Sequence, residues 1–280
     1  MLIPIRDENP TSRTAWATLA IIGVNVLVFL IWQPTLNAGP NGIRQQFFFF
    51  CHAEIAWEVT HRTNLAQGGE AAVQAINDAG LGVSGRALQL ALQGRLPIQG
   101  DRGFHGCPNK SWWQSVFVAM FLHEGWLHIA GNMWFLWVFG NNVEDKLGWL
   151  RYVVFYVISG VVASATQILT DPNSVIPSLG ASGAIAGVLG AYLIMFPRRR
   201  VLSVIPVFFI FSLISLPAVV VLGFWFVLQF FSGTTSLAQH VNGGVAYFAH
   251  VGGFVAGVVA ALLFFPKERR PRPASEPPAW

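Results

Sequence analysis

The sequence predicts an all-α protein, a polytopic membrane helix bundle of six transmembrane helices with a long, partly helical external first loop. Three observations predict it. Of 280 residues 54% are apolar and only 11% are charged, too little charge to cover a soluble domain of this size. The mean hydropathy is +0.52. The apolar residues also fall in blocks of roughly 18 to 25, the length that crosses about 30 Å of hydrocarbon as helix. A pI near 9.4 would suggest nucleic acid in a soluble chain. Here the basic residues stand beside the apolar blocks, so orientation and anionic lipid account for them and no nucleic-acid partner is expected.

Residues 1–13 are read as a cytoplasmic N-terminus carrying Arg6 and Arg13. The first span covers Thr14–Trp32, and no small-residue cleavage site follows it, so it reads as a retained span rather than a signal peptide. Residues 33–112 form external loop 1. Within it Ala71–Ala79 and Arg86–Gln93 are apolar at helical spacing, which suits helices lying on a membrane surface. The Phe47–Phe50 run and Trp112-Trp113 suit the interface. Cys51 and Cys107 are a possible disulfide on the external side, two reduced structural cysteines being the alternative.

Five further spans are predicted over Trp113–Phe139, Leu150–Leu169, Leu179–Phe196, Val201–Phe231 and Ala246–Phe265, joined by short connections. Arg198-Arg199-Arg200 and the basic cluster Lys267–Arg272 then fall on the side of the N-terminus, which the positive-inside rule makes cytoplasmic. Residues 14–266 make the membrane domain, and 267–280 a Pro-rich, charged tail whose composition predicts disorder.

Polar groups within hydrocarbon are costly unless partnered, so those inside the spans are functional candidates. They are Asn25, His123, His128, Asn132, Gln167, Ser182, Gln229 and His250. Apart from Glu124 beside His123, no Asp, Glu, Lys or Arg stands in the core of a span, which argues against a proton-coupled carrier, and the halves show no internal repeat. Ser182 lies in Gly180-Ala181-Ser182-Gly183 after Pro172 and Pro177, at a predicted helix start whose free N–H groups and dipole suit an oxyanion. Taken alone, such a serine serves catalysis or close helix packing equally well. His250 is flanked by Ala249, Gly252 and Gly253, small residues that let two helices approach to Ser–His hydrogen-bond distance. A structural hydrogen bond, or a haem or metal held with His128, is the alternative. His123 and His128 are five residues apart, off a common helical face, so a zinc-protease motif is not expected; no metal or cofactor is assigned. His128 and Asn132 are four apart and share a face, as paired donors to an oxyanion would. His123 stands nearer the outer end, where it orders the adjoining loop.

The pattern resembles the rhomboid family of intramembrane serine proteases, in a bacterial type with a six-span core. The resemblance rests on His128-x-x-x-Asn132, Gly180-x-Ser182-Gly183 and Ala249-His250-x-x-Gly253 in that order on separate spans, together with Glu144-x-x-x-Gly148. It implies Ser182 as nucleophile, His250 as general base, and an oxyanion hole from His128, Asn132 and the Ser182 backbone N–H, with Gly180, Gly183, His123 and Gly253 in support. It implies cleavage of single-pass membrane proteins beside a small residue, a gate and cap around Phe231–Tyr247, and residence in a bacterial cytoplasmic membrane. Family members often carry an aromatic four residues after the serine; here the position is Ala186, so Phe254 or Tyr247 is expected to hold the histidine ring. A catalytically inactive relative that binds membrane clients is the alternative function, disfavoured because both serine and histidine are present. The oligomeric state is not readable from the sequence.

Overall fold

The computed structural model describes residues 3–35, 42–97, 105–207, 210–238 and 245–264. The tail Lys267–Trp280 and the middle of the Phe231–Tyr247 connection lie outside the described residues.

After a short strand β1 (Ile3–Asp7), helix α1 (Trp16–Leu27) runs into a π-helical turn over Val28–Trp32. Loop 1 folds as α2 (Ile43–His52), α3 (Ala56–His61), α4 (Gly69–Asp78) and α5 (Gly85–Leu92). Then come α6 (Trp112–Ala119), α7 (Trp126–Leu147), α8 (Trp149–Thr170) and α9 (Ser182–Met195). Strands β2 (Arg200–Val207) and β3 (Ile210–Pro217) precede α10 (Ala218–Ala238) and α11 (Tyr247–Phe264). Among the described residues α8, α10 and α11 are long and apolar enough to cross a membrane, while Trp16–Trp32 and α9 are shorter apolar helices.

Three expectations are corrected. The protein is mostly helical, as the sequence predicts, but not all-α: β1, β2 and β3 form an antiparallel sheet in that order. The run Val201–Phe231 is therefore not one span. As a continuous helix it would be about 46 Å long, half as long again as the hydrocarbon it must cross. The excess is taken up by the hairpin, whose branched aliphatics alternate with Ser203, Ser212 and Ser215 before Pro217 ends it. Pro206 is tolerated because β2 pairs with β1 only over Val201–Val204. Likewise Trp113–Phe139 is broken between Ala119 and Trp126. Gly125 is fully extended there and restarts the helix, which continues to Leu147.

The core lies between α7, α8, α9 and α11, with Leu136, Phe139, Tyr152, Leu189 and Tyr192 fully buried. One end of the bundle is tied by the N-terminus. Glu144, near the end of α7, accepts from the backbone N–H of Ala17 (2.9 Å) and Thr18 (2.7 Å) and from Thr18 Oγ1 (2.8 Å). A carboxylate thus satisfies orphan donors at the start of α1 and faces the positive end of its dipole. Gly148, at φ +75°, then allows the chain to reverse into α8. Asp7 accepts from Tyr192 Oη (2.8 Å) and Asn142 Nδ2 (2.5 Å). Burial pushes its carboxyl up to about 6, against the pull of Tyr192.

At the opposite end the loop 1 helices build a small core of their own, including Ile55, Trp57, Leu65, Ile76 and Leu88, and close it over Val175 in the α8–α9 link. Cys51 and Cys107 are bonded to each other there, with Cα atoms 5.6 Å apart. A buried ion pair joins Lys110 Nζ to Glu58 at 2.7 Å, and Lys110 also donates to the Phe50 carbonyl at 2.8 Å. The unit is stitched to the link by Trp57 N–H to the Ser174 carbonyl (3.0 Å) and Ser178 N–H to the Glu54 carbonyl (2.7 Å). The Glu54 carboxyl accepts from Ser164 Oγ on α8, and burial raises it to about 7, opposed by that hydrogen bond and by Lys110.

Glu144→Ala strands three donors and is expected to destabilise the protein by about 1–3 kcal/mol, read as a lower Tm in detergent. Glu54 binds more protons folded than unfolded between about 4.5 and about 7, so it makes stability fall as pH rises through that window. Thermal unfolding of Glu54→Gln across the same window is expected to show a flatter dependence than the parent.

Candidate active site

Ser182 is the first residue of α9, placed there by the chain that precedes it. Pro172 and Pro177 lack N–H donors and hold residues 171–181 out of helix. Gly180 takes φ +128°, which side-chain-bearing residues rarely adopt. The first-turn N–H groups of α9 have no intrahelical partner, and the positive end of the helix dipole lies beside the Ser182 hydroxyl.

His250 stands in the first turn of α11, where Gln167 Oε1 on α8 accepts from the Ala249 N–H at 3.2 Å. Ser182 Oγ and His250 Nε2 are 2.7 Å apart, and His250 Nδ1 is 2.7 Å from Gln229 Oε1 on α10. Glycine is what brings the two helices so close. A Cβ on Gly253 would strike the Gly183 carbonyl, and one on Gly257 the Gly187 carbonyl. One on Gly190 would strike the Phe254 carbonyl. The backbones of α9 and α11 touch along this seam without intervening side chains.

On the other flank of Ser182 is α7. Gly180 threads between the two: a Cβ there would lie 2.9 Å from His128 Nε2 and 3.5 Å from Ser182 Oγ. His128 Nδ1 accepts from the Glu124 N–H at 3.4 Å, which leaves Nε2 to carry the ring proton and donate. Asn132, one turn on, is buried, and its Nδ2 has no hydrogen-bond partner. A buried donor left unmade costs about 1–3 kcal/mol, so this amide wants an acceptor that the folded chain does not supply. His123 lies in the break before α7, fully buried, its ring edge-on to His128 at 5.2 Å. Gln33 grips its backbone, donating to the carbonyl (2.8 Å) and accepting from the N–H (2.9 Å).

The structure thus gathers Ser182, His250, His128 and Gly180, with Asn132 one turn away, Gly183 and Gly253 in the seam and His123 behind His128. Among the described residues no cluster of His, Cys, Asp and Glu could hold a metal ion. The expected ring partners of His250 give way to another residue. Phe254 stacks on Phe226 at 4.7 Å, and it is Trp225 on α10 whose ring lies beside His250 at 6.0 Å. Ala186 is fully buried, its place too crowded for a ring.

No motif in the sequence assigns a role to Gln229 or Trp225. Gln229 was visible as an intramembrane polar residue without a partner; Trp225 carried no signal that set it apart from its aromatic neighbours. Glu54, in the first loop, carries no sequence signal that places it here either. A cavity of about 40 Å³ beside Ser182 is lined by Met120, Gly160, Ala163 and Gly180, with Ser164 and Glu54 supplying polar atoms.

With this geometry in view, known proteins give a concordant comparison. The family model of the Rhomboid domain matches residues 109–267. RHOMBOID-like protein 6, mitochondrial, of Arabidopsis thaliana is 28% identical over 195 residues, 67% of this chain and 54% of that protein. RHOMBOID-like protein 5 of the same plant is 38% identical over 103 residues, 37% of this chain and 30% of that protein. Rhomboid protease GluP of Bacillus subtilis is 33% identical over 159 residues, 56% of this chain and 27% of that protein. The chain therefore spans about half the length of the first relative and under a third of the other two.

The glycine seam makes a sharp stability prediction. Gly253→Val forces α9 and α11 apart and is expected to cost about 1–3 kcal/mol, the usual penalty of overpacking. Gly223→Ala on α10, where an added Cβ meets nothing within 4 Å, is expected to keep Tm or raise it slightly. Equal Tm values for the two variants would contradict the seam.

Proposed function

The chain belongs to the rhomboid family, and from that premise we propose that it is an intramembrane serine endopeptidase acting through a dyad of Ser182 and His250. The observation that carries this reading is the 2.7 Å contact between Ser182 Oγ and His250 Nε2, made by residues from two different helices. His250 takes the Ser182 proton as the oxygen attacks a peptide carbonyl, then gives it to the leaving amine. The carbonyl oxygen, now an anion, is received by the Ser182 backbone N–H, His128 Nε2 and the unpartnered Asn132 Nδ2. Water then hydrolyses the acyl-enzyme by the same proton relay. The small cavity lined by Gly160, Ala163 and Gly180 suits a small side chain beside the scissile bond.

In this reading the six spans are Trp16–Trp32, α7, α8, α9, α10 and α11. The N-terminus, the α7–α8 turn and the sheet lie on the basic, cytoplasmic side, and the loop 1 unit lies outside. At 14 residues α9 is about 21 Å long, shorter than the hydrocarbon it stands in, so Ser182 falls below the membrane surface. Substrates are single-pass membrane proteins whose own helices must locally unwind to present a bond at that depth. Matches from a plant mitochondrial protein and from Bacillus leave the choice of membrane to the basic-residue pattern, which sets orientation only.

Ser182→Ala, a small change in volume, is expected to abolish cleavage of a single-pass model substrate and labelling by a fluorescent fluorophosphonate, with Tm near the parent's. Labelling that survives in Ser182→Ala would sink the mechanism. Asn132→Ala is expected to lower the rate by roughly 10²–10³, the usual loss of one oxyanion donor.

A further inference from the structure

Gln229 sits in α10, a helix apolar enough to cross a membrane, where an amide is costly unless it is hydrogen-bonded. Its Oε1 lies 2.7 Å from His250 Nδ1. Four residues earlier on the same helical face, Trp225 sets its ring beside the same imidazole at 6.0 Å. One helix therefore supplies both a flank and an acceptor to the histidine, while Ala186 on the serine's own helix supplies no ring.

We propose that Gln229 is a positioning residue that fixes the tautomer and orientation of His250, turning the dyad into a neutral Ser182–His250–Gln229 triad. This deepens the protease reading and rests on it. An amide oxygen only accepts, so the imidazole proton is held on Nδ1. The Nε2 lone pair is thereby left facing the Ser182 hydroxyl. When Ser182 Oγ–H passes its proton to Nε2, the ring becomes an imidazolium that keeps its Nδ1–H on Gln229. That hydrogen bond becomes charge-assisted and strengthens as the reaction proceeds. The proton on Nε2 then leaves with the amine, and Gln229 ends as it began, neutral. A carboxylate in this place would hold the ring equally well but would carry the insertion cost of a charge within the membrane. The amide avoids that cost. Because the strengthening is confined to the transition state, loss of the acceptor is expected to lower the rate constant of reaction and to spare binding.

The test uses the full chain purified in detergent, the fluorophosphonate probe, and four proteins: the parent, Gln229→Met, Gln229→Glu and, for spectral assignment, His250→Gln. Gln229→Met keeps the length of the side chain and removes the acceptor; its inactivation rate constant is expected to fall roughly 10- to 100-fold with the probe's half-saturating concentration little changed. Gln229→Glu, which retains an accepting oxygen whether ionised or not, is expected to recover most of that loss. In ¹⁵N-histidine spectra, with His250 assigned through His250→Gln, the parent is expected to carry the proton on Nδ1 and Gln229→Met to lose that preference. Should Gln229→Met lower Tm markedly, the tautomer spectrum and the Gln229→Glu rate still decide. A Gln229→Met rate at the parent's level, or a dead Gln229→Glu of normal Tm, overturns the proposal. A parent that does not label at Ser182 at all overturns the protease reading itself, which the comparison thereby keeps separate.

Discussion

The contact of α9 with α11, backbone against backbone, is the constraint that the rest of the molecule serves. A side-chain hydrogen bond of 2.7 Å between residues on two helices needs those helices nearer than ordinary packing permits. The glycines at 190, 253 and 257 remove what would keep them apart, while those at 183 and 187 let α9 sit against Ala163 and Ser159 of α8. Within hydrocarbon there is no hydrophobic gain from pressing helices together, so close packing of small residues is itself the source of cohesion. The same residues that permit the proposed chemistry therefore also hold the core.

Around that seam the fold divides its labour between two ends. At one end Glu144 caps α1, Asp7 links α7 to α9, and the small sheet spans the basic connection. At the other, loop 1 is no loose tether. Its own core, a disulfide and a buried Lys110–Glu58 pair make it a compact unit set over the α8–α9 link. Through Glu54 it reaches the wall of the cavity beside Ser182.

Much of this was legible in the sequence because hydrocarbon imposes strict rules. Apolar length located most of the helices, and the cost of buried polar groups picked out Ser182, His250, His128 and Asn132. Small residues around Ser182 and His250 foretold the seam. What escaped were features decided by tertiary context. The run after Arg200 is as apolar as a span, and only its excess length and its alternating serines betray the hairpin. The break before α7 follows from Gly125, which local composition does not distinguish from a glycine within a helix. Gln229 stood out as polar but had no partner in sequence, since its histidine lies on the next helix. Trp225 was one aromatic among many.

The proposed reacting pair is separated by 68 residues, and its imidazole comes from α11, the last helix among the described residues. Ser182 precedes its proposed base in the chain and is synthesised first. A growing chain, or one that stops short of α11, carries a hydroxyl with ordinary alcohol reactivity among the helices it is being threaded past. In the proposed mechanism the hydroxyl therefore gains its base only when α11 packs against α9.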